Sequence, residues 1–434
     1  MKFQLVCVKP GSGDTETWFF DNQTNKIVGE NGRTYYFWND PRFFGVEDHF
    51  QSVPARVYDE EHPIRENFRV LSKLKIQLGL ACNCDCTYCQ QKRWRNPTEI
   101  QADEIDIVRF FDSFERTGLC LRKQGTIELW GGEPLVYRKV LLLLLPMLRE
   151  KFGTEARIVM FTNGELLTKA MVDILMQYRV TVRISHDGPA QSLRTRKDPL
   201  DDPSCRQVWQ YLLEESASRG IPMEFHAVIT PRNANLQELQ TFFKERFSPD
   251  VRVSFEGVAT IDDVELKDCV FGSDDARTLV ASIFNATLNE LVPGIRPWVD
   301  ELLGRLVHRV PVVTLGTACD AANPGVLSVD LFGRVLSCQN RSAQRFAIGS
   351  LDDYEGIVNP HLKHWSVYPA CRDCLVLSSC KGGCPHHDSK DATSNCANAF
   401  TFHFGIFATV WFLLTERLIV EVRPLEVATE NPHV

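Results

Sequence analysis

Three cysteines stand close together after a short apolar run, and their spacing suits iron–sulfur chemistry. The segment reads Cys82-Asn-Cys-Asp-Cys86-Thr-Tyr-Cys89, which contains the pattern CxxxCxxC. Three thiolates on one loop can ligate three irons of a [4Fe–4S] cube and leave the fourth iron open to another ligand. A zinc knuckle is the alternative, but CxxC pairs alone are weak evidence for one. The pattern predicts a reactive cluster at Cys82, Cys86 and Cys89, although Cys84, Cys86 and Cys89 could also be written as a ligand set.

A glycine-rich segment follows the second predicted strand. Trp130 is followed there by Gly131, Gly132, Glu133 and Pro134. Glycine lets the backbone approach a ligand closely, and carbonyl groups and a carboxylate can accept hydrogen bonds from an ammonium group. We therefore expect this segment to contact a small ligand.

The next two predicted strands also end in polar residues. The third ends at Thr162 and Asn163, and the fourth ends at Ser185, His186 and Asp187. The carboxyl ends of barrel strands are where such folds present their active sites. We expect Thr162, Asn163 and Ser185 to line that site. A structural role explains His186 equally well, and Asp187 can simply begin a turn.

A second group of cysteines lies near the end of the chain. Fifteen cysteines are many for a chain in a reducing compartment, where they indicate metal or redox chemistry rather than disulfides. Those outside both patterns are interpreted mostly as buried structural thiols: Cys7, Cys84, Cys120, Cys205 and Cys269. The second pattern consists of Cys319, Cys338, Cys371, Cys374, Cys380, Cys384 and Cys396.

The cysteine loop and the GGEP segment, in this order, resemble the motifs of the radical S-adenosylmethionine (SAM) superfamily. In that family the open iron binds SAM, and one electron from the cluster cleaves SAM to a 5′-deoxyadenosyl radical. The resemblance implies that Tyr88 packs against the adenine and that the GGEP segment binds the methionine amino group. It also implies that Ser185 and either Arg194 or Arg196 contact the ribose or the carboxylate, and that the segment of Val228, Ile229 and Thr230 lines the adenine. An external one-electron donor of the flavodoxin or ferredoxin type is implied as a partner.

The C-terminal cysteines resemble the SPASM extension of that superfamily, whose members typically carry two auxiliary [4Fe–4S] clusters. By position, one cluster would be ligated by Cys371, Cys374, Cys380 and Cys396. The other would be ligated by Cys319, Cys338 and Cys384, with a fourth iron that is open or has a ligand other than cysteine. Zinc bound by the same thiolates is the alternative. The resemblance implies three [4Fe–4S] clusters and SAM as cofactors.

The elements that must position these residues are βα units. From residue 74 onward, short apolar runs alternate with stretches of helical period, which is typical of a parallel sheet covered by helices. The predicted strands are 75–80, 126–130, 158–162, 180–185, 224–229 and 252–256. Six strands are fewer than the eight of a closed barrel. The sequence therefore predicts an α/β fold built on a partial (β/α)6 TIM-type barrel.

The predicted barrel spans residues 71–300 and is flanked by other modules. Residues 1–70 contain β-type runs at 3–8, 17–20 and 34–38, so they form a small β-rich module. That module either captures a peptide by β-augmentation or is a packing extension over the barrel. Residues 301–400 form the cysteine-rich SPASM domain, and 401–434 form a helix and tail. The apolar stretch 397–414 is interrupted by polar residues, so we expect a buried helix rather than a membrane span.

Composition narrows the class of protein. Hydrophobic residues make up 44% and charged residues 24% of the 434 residues, as in soluble globular proteins. The net charge of −8 gives no general attraction to nucleic acid. The first residues do not have the pattern of a signal peptide. We expect a cytoplasmic protein with no nucleic-acid or membrane partner.

The predicted function is maturation of a ribosomally made precursor peptide or protein by an oxidative carbon–carbon, ether or thioether cross-link. The alternative is an anaerobic sulfatase maturase, which oxidises a Cys or Ser to formylglycine. Those enzymes usually carry an Asp base directly after the cysteine equivalent to Cys338, where this chain has Gln339. They also begin close to the first cysteine motif. A non-catalytic iron–sulfur electron carrier is disfavoured because a carrier needs no cofactor-binding segment.

Overall fold

The computed structural model describes residues 2–46, 69–95, 99–258, 268–314, 319–323, 325–357, 364–384, 386 and 392–425. Within these residues the strands form a five-stranded and a nine-stranded sheet. The strands are β1 Phe3–Val8, β2 Thr15–Asp21, β3 Lys26–Gly29, β4 Thr34–Tyr35, β5 Val70–Gln77, β6 Cys120–Trp130, β7 Arg157–Thr162, β8 Val180–Ser185, β9 Met223–Ile229, β10 Val253–Gly257, β11 Val326–Asp330, β12 Arg334–Leu336, β13 Ala347–Ser350 and β14 Leu418–Pro424.

The helices of the described chain lie mostly between these strands. They are α1 Glu104–Arg116, α2 Arg138–Phe152, α3 Lys169–Gln177, α4 Pro203–Ser218, α5 Leu236–Arg246, α6 Ser273–Leu288, α7 Arg296–Val307, α8 Ala343–Phe346, α9 Pro369–Arg372, α10 Leu377–Cys380 and α11 Ala392–Thr415. Local sequence explains where several of them begin. Asp103 and Asp106 form a capping box at α1, and Asp202 caps α4 just before Pro203.

The larger sheet contains the six predicted parallel strands. β5 to β10 are neighbours in chain order and all pair in parallel. The prediction of six βα units is therefore confirmed, although the first strand ends at Gln77 rather than at residue 80. In the described residues the sheet has two edges, β10 and β13, and is not closed into a barrel.

The cysteine-rich part of the chain continues the same sheet. β11 pairs in parallel with β5, and β12 and β13 follow as antiparallel strands. Leu327, Val329 and Val335 are buried in the main core of the protein. Residues 326–350 therefore add to the apolar core, although their sequence shows little periodicity.

The smaller sheet joins the two ends of the chain. β14 pairs with β1, and β2, β3 and β4 follow in order. The predicted strand at 34–38 is wrong in its extent, because only Thr34–Tyr35 pairs and Phe37–Asn39 is a short 3-10 turn. Tyr35 packs on Trp18 there, with ring centroids 4.7 Å apart. Beyond the paired residues, Phe37 is buried and its ring meets that of Phe43 edge-on.

Helix α11 packs on α6 and α7. Its stretch Cys396–Thr415 is long and apolar enough to cross a membrane, and half of that stretch is buried within the structure. Trp411 and Phe407 contact Phe20 of the smaller sheet. The C-terminal helix therefore connects the two sheets through apolar contacts.

Candidate active site

The loop that carries the first cysteines begins directly after β5. Cys82, Cys86 and Cys89 lie in one small apolar cluster that also contains Leu193 and Val228. Two hydrogen bonds hold the backbone just before the first cysteine. The Ala81 N–H donates to the Tyr137 hydroxyl and the Leu80 N–H donates to the Glu99 carboxylate, each at 2.7 Å. The entry of the loop is thus held by two defined hydrogen bonds.

The two glycines after β6 allow β6 and the cysteine loop to lie close together. A side chain on Gly132 would meet the carbonyl oxygen of Ala81 at 2.2 Å, and one on Gly131 would meet that of Gly79 at 2.2 Å. Gly132 donates to the Gly79 carbonyl at 2.9 Å, and Glu133 donates to that of Ala81 at 2.8 Å. The close approach is between two protein segments, whereas the sequence suggested an approach to a ligand.

The Glu133 carboxylate is bonded by the protein itself. It is almost fully buried, and Pro134 beside it starts a short 3-10 helix. Thr162 donates to Oε1 at 2.6 Å, and the Asn163 backbone donates to Oε2 at 2.7 Å. Burial raises the pKa of Glu133 to about 7. Both oxygens therefore stabilise the end of β7, and contact of this carboxylate with a ligand ammonium group stays a prediction. The backbone carbonyl groups remain candidates for that contact.

Asp187 connects several of the residues predicted to bind the cofactor. Its carboxylate is fully buried and accepts a hydrogen bond from the Tyr88 hydroxyl. Arg194 Nε lies 2.9 Å from the same Asp187 oxygen, and the Val228 backbone donates to the other at 2.9 Å. The Arg194 guanidinium also lies over the Tyr88 ring, 5.5 Å from its centroid. The sequence suggested only turn initiation for Asp187, so its position as a buried anchor was missed.

The structure distinguishes between residues that the sequence left as alternatives. Arg194 is largely buried beside Tyr88, whereas Arg196 is exposed. Val228 lies against the cysteine loop, but Ile229 points into the main core on the opposite face. Because neighbouring strand residues alternate between the two faces of a sheet, Val228 rather than Ile229 is the residue of segment 228–230 that lies beside the loop. Ser185 is half-buried at the end of β8.

His186 has the structural role, which was one of the two interpretations that the sequence allowed for it. It is fully buried, its Nε2 lies 2.9 Å from Asp198 Oδ1, and its ring stacks on Phe242 with centroids 5.6 Å apart.

Cys84 turns toward the end of β7, where Asn163 donates to its sulfur at 3.2 Å. A hydrogen bond from Cys84 lowers the pKa of Cys82 to about 6. This favours the thiolate form of Cys82, whereas burial raises the pKa of Cys86 to about 12.

One face of the larger sheet carries polar and aromatic side chains beside the cysteine loop. We call it the inner face and define it by Lys75, Glu128, Trp130, Phe161 and His226. Trp130 stacks on Phe161 with centroids 4.3 Å apart, and His226 meets Phe161 edge-on at 5.8 Å. These residues alternate with core residues along their strands. That two-residue period was the available signal for them.

Lys75 links the inner face to the cysteine-rich region. Its Nζ donates to Gln339 Oε1 at 2.7 Å and lies 2.9 Å from Asp320 Oδ2. Glu128 Oε2 lies 3.5 Å from the same nitrogen. Asp320 and Gln339 directly follow Cys319 and Cys338. A buried cation therefore holds the chain next to two cysteines of the second pattern.

The C-terminal thiols come together in two groups. Burial, together with the neighbouring Cys319 and Cys338, raises the pKa of Cys384 to about 12. Cys371, Cys374 and Cys396 all surround Cys380, whose pKa burial likewise raises to about 12. Sulfur donors in groups of three and four suit iron–sulfur cubes, in which each thiolate binds a different iron.

No three Cys, His, Asp or Glu side chains converge on a position for a single metal ion in the described part of the chain. Single-ion zinc sites are therefore not preformed among these residues.

Of the thiols predicted to be structural, Cys7, Cys84 and Cys269 are buried, but Cys120 is exposed at the start of β6. Cys205 is half-buried, so Cys120 is the exception among the five, and it lies in the exposed first part of β6.

Comparison with known families identifies the central part of the chain. A model of the radical SAM superfamily matches residues 76–239, which include the cysteine loop and strands β6 to β9. The serine-type anaerobic sulfatase-maturating enzyme of Bacteroides thetaiotaomicron is 24% identical over 349 residues, or 71% of this chain and 81% of that protein. The radical SAM cyclopropyl synthase TigE of Paramaledivibacter caminithermalis is 21% identical over 339 residues, or 72% of this chain and 68% of that protein.

Solved structures share the fold. The structure of anSMEcpe with bound AdoMet and the Cp18Cys peptide aligns with a TM-score of 0.59 and 19% identity, over 80% of this chain and 98% of that one. Streptococcus suis SuiB bound to the precursor peptide SuiA aligns with a TM-score of 0.51 and 17% identity, over 75% and 76% of the two chains. The described sheet and helices therefore have the architecture of these structures.

Proposed function

We propose that this radical SAM enzyme, whose family domain covers residues 76–239, matures a ribosomally made peptide by an oxidative cross-link between side chains. Its relatives and structural neighbours include proteins described as maturases or bound to peptides. The family implies a [4Fe–4S] cluster and SAM. When bound, these supply a 5′-deoxyadenosyl radical that abstracts a hydrogen atom from the substrate.

The residues of the first loop have the donor set for that cluster. One half-buried loop supplies the three thiolates of Cys82, Cys86 and Cys89. Tyr88 belongs to the same loop, and its hydroxyl donates a hydrogen bond to Asp187. Arg194 lies beside Tyr88 and is the better candidate of the two arginines for contact with SAM. We infer that Asp187 positions both side chains, whereas Glu133 orients the end of β7.

The observation that carries the cross-linking proposal is the position of Gln339. Sulfatase maturases usually have a basic Asp after the cysteine equivalent to Cys338, but an amide cannot accept a proton at neutral pH. Here the Gln339 side-chain oxygen also accepts a hydrogen bond from buried Lys75. Gln339 thus has a structural contact and no basic group at the position of the usual Asp, which supports a reaction other than formylglycine formation.

The two C-terminal thiol groups are proposed to hold auxiliary clusters. Cys371, Cys374, Cys380 and Cys396 can saturate one cube, which suits electron transfer. Cys319, Cys338 and Cys384 leave one iron of the other without a cysteine ligand. An electron acceptor near the substrate is what an oxidative cross-link requires, and an external flavodoxin- or ferredoxin-type donor would reduce the first cluster. Reconstituted protein should then contain about twelve irons per chain.

The smaller sheet is proposed to capture the substrate peptide. Among the described residues its edges are β4, with only two residues, and β14, with seven. An extended peptide can add to a free sheet edge through backbone hydrogen bonds. β14 is long enough for such pairing, so we assign peptide capture to β14 rather than to β4.

The deciding experiment compares two substrate classes with anaerobically reconstituted enzyme. Precursor peptides encoded beside the gene and a sulfatase-derived peptide are each incubated with SAM and a reductant, and products are analysed by tandem mass spectrometry. A cross-link removes two hydrogen atoms, blocks fragmentation between the joined residues and leaves no aldehyde. Reaction of the product with a hydrazide probe would instead identify formylglycine and contradict the proposal.

The sulfatase maturase remains the second candidate function, because the Bacteroides relative aligns over 71% of this chain. The alignment with the anSMEcpe structure covers 98% of that chain but 80% of this one. Part of this chain therefore has no counterpart in that structure.

A further inference from the structure

The guanidinium group of Arg95 is half-buried and lies against the first cysteine loop. Its Nη2 donates to the Cys89 sulfur at 3.6 Å, and its Nη1 donates to the Cys84 carbonyl oxygen at 2.5 Å. Only 18% of the side chain is exposed. Arg95 lies outside every motif considered above, and none of the proposed steps uses it.

The positive charge of Arg95 is not cancelled on the side of the thiols. Asp85 Oδ1 lies 3.5 Å from Arg95 Nη1, but the Asp85 side chain is 71% exposed and also pairs with Lys92 Nζ at 2.9 Å. Solvent and salt screen such an exposed carboxylate. The thiols, in contrast, face Arg95 from a half-buried loop. The field of Arg95 is therefore strongest where the cluster would lie.

Reduction of a [4Fe–4S] cluster adds one negative charge. A nearby cation and N–H groups that donate to the ligand sulfurs stabilise the more negative state and raise the reduction potential. We propose that Arg95 sets the reduction potential of the cluster held by Cys82, Cys86 and Cys89, by stabilising its reduced form. This inference rests on the proposed cluster site, but not on the identity of the substrate or of the bond formed.

The test is a redox titration of the reconstituted full-length protein without peptide. Dithionite is added in the presence of mediators, and the first cluster is followed by its electron paramagnetic resonance signal. Subtraction of the signal of a Cys82→Ala, Cys86→Ala, Cys89→Ala triple variant removes the other clusters. In Arg95→Gln the ratio of reduced to oxidised cluster at a fixed potential should fall about tenfold, which is about 59 mV for one electron.

The matched control is Lys92→Gln, which removes the same charge three residues earlier from an exposed side chain. It should leave the midpoint potential unchanged. An equal shift in both variants would mean that overall charge, rather than the contact of Arg95 with the loop, determines the potential, and would overturn the proposal.

A second variant separates the charge of Arg95 from its hydrogen bond to the loop. Arg95→His is cationic near pH 5.5 and neutral near pH 8.5, because the pKa of histidine is about 6.5. Its midpoint potential should fall more steeply across this range than that of the wild type. If the midpoint potentials of Arg95→His and the wild type depended equally on pH, the proposal would be overturned. Loss of the cluster from both Arg95→Gln and Arg95→His would also overturn it, because the role of Arg95 would then be only to hold the loop.

The same titration distinguishes this failure from failure of the proposed function. A wrong substrate leaves the potentials unaffected. If wild type and the triple variant give identical spectra, the cluster site itself is wrong.

Discussion

The hydroxyl of Tyr88 donates a hydrogen bond to the carboxylate of Asp187, and this contact ties the cysteine loop to the end of β8. Asp187 is fully buried and also pairs with Arg194. A single carboxylate thus determines the positions of an aromatic ring and a cation that lie together beside the loop. The following predictions test this and related contacts.

Asp187→Asn should destabilise the protein and impair SAM cleavage. The amide leaves Arg194 buried without a compensating charge, which costs about 3–5 kcal/mol when a buried pair is broken. Thermal unfolding and chromatographic measurement of 5′-deoxyadenosine check this. Asp202→Asn is the control, because Asp202 is an exposed helix cap and Asn caps a helix equally well. Similar behaviour of the two variants would contradict the assigned role.

Gly132→Ala should prevent normal assembly of the first cluster. The added methyl group would lie 2.2 Å from the Ala81 oxygen and 2.4 Å from the Leu80 oxygen, so β6 and the loop must separate. Overpacking of this kind costs about 1–3 kcal/mol. Iron content and SAM cleavage should both fall. Gly45→Ala has open space around the new methyl group and should behave as the wild type.

Lys75→Met should selectively impair the cluster assigned to Cys319, Cys338 and Cys384. Removal of the ammonium group leaves Lys73 as the remaining lysine beside Glu128 and Asp320 and takes the donor from Gln339, which follows Cys338. We expect about four irons fewer per chain, with SAM cleavage largely retained. Lys123→Met changes an exposed lysine and is the control. Unchanged iron content in Lys75→Met would refute the link between this network and the cluster.

Glu133 should make stability depend on pH. Burial raises its pKa from 4.5 to about 7 in the folded state. The favourable contribution of the protonated form is fully present below pH 4.5 and is lost as the pH rises through 7, on the order of 2–3 kcal/mol. Urea unfolding of the cluster-free protein at several pH values measures this loss. Glu133→Gln, which cannot ionise, should show a smaller loss between pH 5 and 8.

The cysteine groups should separate SAM cleavage from product formation. Substitution of Cys82, Cys86 and Cys89 by Ala should abolish 5′-deoxyadenosine formation, since the proposed SAM-binding iron is lost. Cys371→Ala with Cys374→Ala should retain cleavage but lose cross-linked peptide. Cys120→Ala, at an exposed thiol outside both groups, should affect neither reaction. Equal loss of cleavage in both cysteine groups would contradict the division of labour.

The strands were predictable because their signal is local. The run at 158–162 is largely apolar and the runs at 126–130 and 180–185 alternate apolar with polar residues; all three are followed by turn residues and appear as strands. The short strand Lys26–Gly29 was missed, since four residues carry too little periodicity. The extent of 34–38 was misjudged, because β propensity does not reveal that Phe37 packs into the core.

The sequence alone determined the chemistry that the chain is built for, because cysteine spacing and the GGEP segment are properties of consecutive residues. It could not show that Asp187 pairs with Arg194, that Lys75 binds Gln339, or that β14 pairs with β1. It also could not show that Val228, rather than Ile229, faces the cysteine loop. Such contacts depend on strand register and on the packing of distant segments, and only the tertiary structure decides these.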